Sequence, residues 1–129
     1  IASTPEGTAR TLSILGRVKV EKKEFDEAEK LLSEAFDLFR ERSPSRREQV
    51  AQAANWLGAI KVAREAYSDA EKLLLTETEQ FFSPGVQMSS AERRIAVGHI
   101  VQLYESWKNP EKAASWKRRL DEIPDRSAK

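Results

Sequence analysis

Covalent or acid–base chemistry needs a nucleophile, a base or a metal ligand in company, and this sequence supplies few of them. It holds one histidine, His99, and no cysteine. Without a thiolate, a metal site would rest on carboxylates around a single imidazole. The acidic side chains are instead scattered as Glu-Lys and Glu-Arg neighbours. Such pairs suit a helix surface, where each contributes about 0.2–0.5 kcal/mol. There is no nucleophile elbow, no Gly-rich phosphate loop, no His-Arg-Asp and no Asp-Phe-Gly. His99 lies in the apolar stretch Ile95 to Leu103, which suits a packing role. The chain therefore reads as a non-enzyme, with no catalytic, cofactor-binding or metal-binding residue expected. The other candidates are Trp56, Trp107 and Trp116, because tryptophan anchors interfaces. Trp107 and Trp116 fit packing positions. Trp56 falls to one side of the stripe Val50, Ala54, Leu57, either against neighbouring helices or on the wall of a groove.

The elements that position these residues follow from composition and pattern. At 129 residues the chain fits one domain, 40% hydrophobic and 33% charged. Lys and Arg number 22 against 21 Asp and Glu, a net charge of +1. That balance gives no global attraction to nucleic acid or an anionic membrane. The clusters Arg46-Arg47, Arg93-Arg94 and Lys117-Arg118-Arg119 are short and flanked by acids, as on a solvated helix face. No apolar run approaches the roughly 20 residues that span a bilayer. The start, Ile1-Ala2-Ser3-Thr4-Pro5, is not a signal peptide and lacks an initiator Met, so a processed chain or a piece of a longer one is expected. A cytoplasmic setting is compatible with the absence of cysteine.

An internal repeat organises the whole chain. Ala28-Glu29-Lys30-Leu31-Leu32 recurs as Ala70-Glu71-Lys72-Leu73-Leu74, an offset of 42 that also relates Leu15-Gly16 to Leu57-Gly58 and Phe25 to Tyr67. A weaker third copy, Pro110-Glu111-Lys112-Ala113-Ala114, follows at 43. Each unit reads as two helices. Phe25, Ala28, Leu31, Leu32, Ala35, Phe36 and Phe39 fall three and four apart, one stripe of period 3.6. Tyr67, Ala70, Leu73, Leu74 and Phe81 repeat it; Val97, Ile100, Val101, Tyr104 and Trp107 begin the third pair.

Ser45 with Glu48 and Ser89 with Glu92 have capping-box spacing, and Asn109-Pro110 places a cap before a first-turn proline. Helices are expected near 5–22, 25–42, 46–65, 67–82, 90–107 and 110–122. The units run over about 8–42, 46–82 and 90–123, with a tail at 124–129.

With Leu15-Gly16, Phe25 and Ala28, repeated at Leu57-Gly58, Tyr67 and Ala70, the chain resembles the tetratricopeptide repeat. Its usual unit is about 34 residues; the longer spacing here is similar to that of kinesin light chains and many bacterial arrays. Ala70 to Leu75, Arg93 to Ala96, Val101 to Glu105 and Pro110 to Trp116 resemble the last repeats of arrays that end bacterial serine/threonine protein kinases. The resemblance implies an α-solenoid of about three antiparallel hairpins. It also implies a concave face lined by the first helix of each unit. There it places Arg10, Ser13, Arg17, Val20 and Glu21, then Gln52, Asn55, Ala59, Val62 and Ala63, then Gln102 and Glu105. Of these, Arg10, Arg17, Gln52, Asn55, Val62, Gln102 and Glu105 are the expected partner-binding residues. The Lys/Asn/Arg clamp of chaperone-binding repeats is not reproduced.

Three readings follow. The first is a protein-interaction module holding a protein or peptide, part of a larger signalling protein. The second is a homodimerising domain, with Ile95, Trp107 and Trp116 at a free end of the stack. The third is a small all-α enzyme or ligand pocket.

Overall fold

Apolar stripes and the residues that punctuate them set every helix of the chain. The computed structural model describes residues 5–42, 47–83, 85, 86 and 88–124. Within them run α1 (Pro5–Glu21), α2 (Phe25–Arg42), α3 (Arg47–Ala63), α4 (Tyr67–Thr78), α5 (Ser90–Ser106) and α6 (Pro110–Glu122), with no strand. The all-α class and the six helices are as expected. The end of α4 differs: the helix stops at Thr78, and a 3₁₀ turn, Glu79–Phe82, continues the chain. The tighter winding accompanies Phe81, 1% exposed, into a cluster with Ala51, Val86, Met88 and Ala96.

Two of the expected caps are in place. The Oγ of Ser89 accepts the N–H of Glu92 at 3.1 Å, and the Oδ1 of Asn109 accepts that of Lys112 at 3.2 Å ahead of Pro110. Each satisfies one of the orphan donors of a first turn. Ser45, the third expected cap, lies outside the described residues.

Consecutive helices pack as antiparallel pairs: α1 on α2, α3 on α4, α5 on α6. At one end of the first pair Ala9 meets Ala35 and Phe39; at the other Val20 and Phe25 share a cluster. The two repeat glycines let the paired helices approach closely. A Cβ at Gly16 would lie 2.6 Å from Cγ of Leu32, and one at Gly58 would lie 2.5 Å from Cδ2 of Leu74. The same contact thus recurs 42 residues on. The third pair uses another lock, in which Val97, Val101 and Ile123 meet Trp116 and Leu120. There Arg94 also donates to the carbonyls of Leu120 (3.1 Å) and Ile123 (3.0 Å), closing the end of α6.

All three hairpins turn in the same way. Lys23, Glu65 and Lys108 have φ of 63°, 61° and 58°. In each turn the next residue donates back five positions: Glu24 to Lys19, Ala66 to Lys61, Asn109 to Tyr104. This is a Schellman ending, built here on non-glycine residues.

The pairs pack on one another as well: α2 on α3, α4 on α5, and the first helices α1 on α3 and α3 on α5. Ala28 and Leu32 of α2 meet Trp56 and Ile60 of α3. Ala70 and Leu74 of α4 meet Ile100, Leu103 and Tyr104 of α5. The hydroxyl of Tyr104 donates to Oε2 of Glu71 at 2.7 Å; burial, then that carboxylate, hold it well above the usual phenol range. Among the described residues, no helix is long and apolar enough to cross a membrane.

Candidate functional site: a polar seam across the first helices

Small residues bring α3 close to its neighbours: Ala51, Ala53 and Ala54 are at most 1% exposed. A polar side chain in that setting must find partners or lose the hydration it gives up. Asn55, 1% exposed, finds three. Its Nδ2 donates to Oγ1 of Thr78 (3.2 Å) and to the carbonyl of Ala96 (3.3 Å). Its Oδ1 lies 2.6 Å from Nδ1 of His99. Because an amide oxygen can only accept, the network assigns the imidazole proton to Nδ1. Nε2 is left as a lone-pair acceptor, and no hydrogen bond among the described residues reaches it.

The environment keeps this ring neutral. Burial first, then the charge of Arg17, lower the His99 pKa from 6.5 to about 4. The ring of Trp56 meets His99 edge-on, centroids 4.6 Å apart at 76°. The Arg17 guanidinium lies 5.0 Å from the Trp56 centroid, a cation–π distance, and 3.6 Å from Oε1 of Glu92. Arg17 therefore reaches from α1 across α3 to α5. With a pKa near 4, the ring is a hydrogen-bond acceptor at neutral pH and a weak base. The seam thus sets a neutral imidazole and a guanidinium against the same indole ring.

The structure distributes the expected groove residues unevenly. Arg17 is at the centre of the seam, and Gln52 lies one turn before Trp56, half-buried, with its Nε2 3.7 Å from Sδ of Met88. Arg10 on α1 and Gln102 on α5 are exposed. Asn55 is not available to a partner, because α5 closes over it and uses its polar atoms. Val62, 5% exposed, is packed with Ala70, Leu74 and Ile100; it belongs to the core. Glu105 is drawn toward α6, where its Oε2 lies 3.7 Å from Nζ of Lys117.

His99 and Glu92 were not among the expected groove residues. One signal for His99 was present: it follows Trp56 by 43 residues, the offset of the third copy. The tryptophans divide. Trp56 packs at the seam, 7% exposed, and Trp116 packs between two core clusters. Trp107 is 39% exposed, stacked on Tyr67 at 5.7 Å and Tyr104 at 6.5 Å.

A second recess, of about 230 Å³, lies between α2, α3 and α4, lined by Arg40, Arg47, Val50, Thr76, Glu77 and Gln80. Glu77 occupies the repeat position that is Ala35 in the first unit. Burial raises its carboxyl pKa and Arg40 opposes the rise. Among the described residues no group of three or more His, Cys, Asp or Glu could hold a metal ion.

No protein-family model, no curated protein and no solved structure matches the chain.

Proposed function

We propose that the chain is a non-catalytic protein-interaction module of the tetratricopeptide type, gripping an extended partner segment across α1, α3 and α5. The observation that carries this reading is the seam in which a neutral His99, its Nδ1 tied to Asn55, and the Arg17 guanidinium meet the same Trp56 ring. An extended segment offers N–H donors and carbonyl or carboxylate acceptors at regular intervals. His99 would accept from one such N–H, and Arg17 would donate to a carbonyl or carboxylate beside it. Gln52, Arg10 and Gln102 flank that pair along the same three helices. The resemblance to terminal kinase arrays supports a place in a larger cytoplasmic signalling protein, bacterial in type.

Selection from a random peptide library displayed on phage tests the reading. Peptides enriched on the wild-type chain should lose at least about tenfold in affinity, some 1.4 kcal/mol, against Arg17→Ala or His99→Gln. The imidazole ¹⁵N resonance of Nε2 should shift when such a peptide binds. Failure to enrich any peptide, or binders indifferent to both variants, would sink the proposal.

A further inference from the structure

Among the described residues, three large apolar side chains stand out of one helix: Ile14, Leu15 and Val18 of α1 are 57%, 47% and 43% exposed. The sequence pointed to the other end of the chain, at Ile95, Trp107 and Trp116; there Ile95 and Trp116 are packed against core clusters, and Trp107, 39% exposed, is stacked on Tyr67 and Tyr104. The internal repeat indicates what the α1 stripe is shaped to meet. Its counterparts 42 residues on are Trp56, Leu57 and Ile60. Trp56 is 7% exposed and Ile60 0%, because Ala28 and Leu32 of α2 lie against that face of α3. Ala70 and Leu74 of α4 cover α5 in the same manner. Twice within one chain, then, a first helix is covered by a helix carrying a small residue and leucines three and four positions later.

We propose that Ile14, Leu15 and Val18 form a docking seat for one more helix of that design. The occupant is an amphipathic helix with an Ala-x-x-Leu-Leu stripe and acidic residues beside the alanine. Charge supports the acidic flank. At the α2–α3 contact, Arg64 binds Asp26 and Glu29, which bracket Ala28. Arg64 sits just past the end of α3, and its equivalent just past the end of α1 is Lys22, also cationic and exposed. A folded second copy of the chain does not offer such a helix. Leu32 and Leu74 are 0% exposed where they are, and on α6 the equivalent position is Lys117. The seat therefore belongs to a helix from outside the residues described.

The test uses the chain's own design as probe: a labelled peptide with the sequence Phe25–Arg42, stapled through its polar face to hold the helix. Fluorescence anisotropy should show saturable binding to the wild-type chain. Val18→Asp should weaken it by about tenfold or more, as loss of a central apolar contact does, and Lys22→Glu should weaken it to a lesser degree. Both variants should keep the wild-type melting curve, since both side chains are exposed. Arg17→Ala should leave this binding intact, which separates it from the seam across α1, α3 and α5. Three results would overturn the proposal. The first is no saturation up to about 1 mM peptide. The second is binding unchanged in Val18→Asp, which would indicate exchange with α2 instead. The third is a homodimer, seen by light scattering, that Val18→Asp disperses.

Discussion

At Asn55 one amide ties three helices together, through Thr78 at the end of α4 and Ala96 and His99 on α5. Truncation would strip partners from groups that stay buried, and such losses run from about 1 to 3 kcal/mol per group. Asn55→Ala is therefore expected to lower unfolding free energy by about 2–4 kcal/mol, measured by urea denaturation. His99 carries a pH signature. Its folded pKa of about 4 lies below the ordinary 6.5, so between those values the unfolded chain binds more protons than the folded one. Stability is then fully present above pH 6.5 and falls as pH drops toward 4, by at most about 3 kcal/mol. The groups facing the ring are Arg17 from α1 and Asn55 and Trp56 from α3, with Glu92 on α5 paired to Arg17. A pH series of melts should show that slope for the wild type and a shallower one for His99→Gln. These residues were only half legible in the sequence. Family positions assign a face on an isolated helix, whereas which side chains on that face turn inward depends on α5, a partner 41–44 residues away.

The helices themselves were read more fully, because stripes and caps are local. Eleven of the twelve expected ends fall within a residue or two of those observed, but winding is invisible to periodicity, and the 3₁₀ turn after Thr78 leaves no mark on the pattern. The glycines sharpen the point. Gly16 and Gly58 were marked by their repeat, and each abuts a leucine of the partner helix. Gly16→Ala and Gly58→Ala should each cost about 1–3 kcal/mol from overpacking, more than the roughly 1 kcal/mol of helix propensity they gain. Gly98, with nothing within 4 Å of a built Cβ, should respond oppositely: Gly98→Ala should raise stability by about 0.5–1 kcal/mol. Thermal melts of the three variants make one comparison. A loss at Gly98 or a gain at the other two would contradict the packing described.

Taken whole, the molecule is three hairpins in which only the middle one, α3–α4, is packed on both sides. Where stability arises from neighbours, local opening is easiest at the ends. Hydrogen exchange should therefore be slowest in α3 and α4, and fastest in α6 and the start of α1. A uniform protection profile would instead mean a single cooperative unit. The repeat made the number and order of the hairpins legible. The third was less so, because at the same offset Gly gives way to Val101 and Leu to Lys117, and Val101 locks instead against Trp116 and Leu120.

The three hairpin turns also leave room for improvement. Lys23, Glu65 and Lys108 each hold a side chain in the left-handed region, where an L-residue gives up about 1–2 kcal/mol relative to glycine. Part of that is offset, since glycine adds entropy to the unfolded chain. Replacing any one by glycine should still raise the melting temperature slightly, and replacing all three should give nearly the sum, because they sit in different hairpins. The fold thus tolerates a small, thrice-repeated backbone strain that an engineer could remove without touching either proposed binding surface.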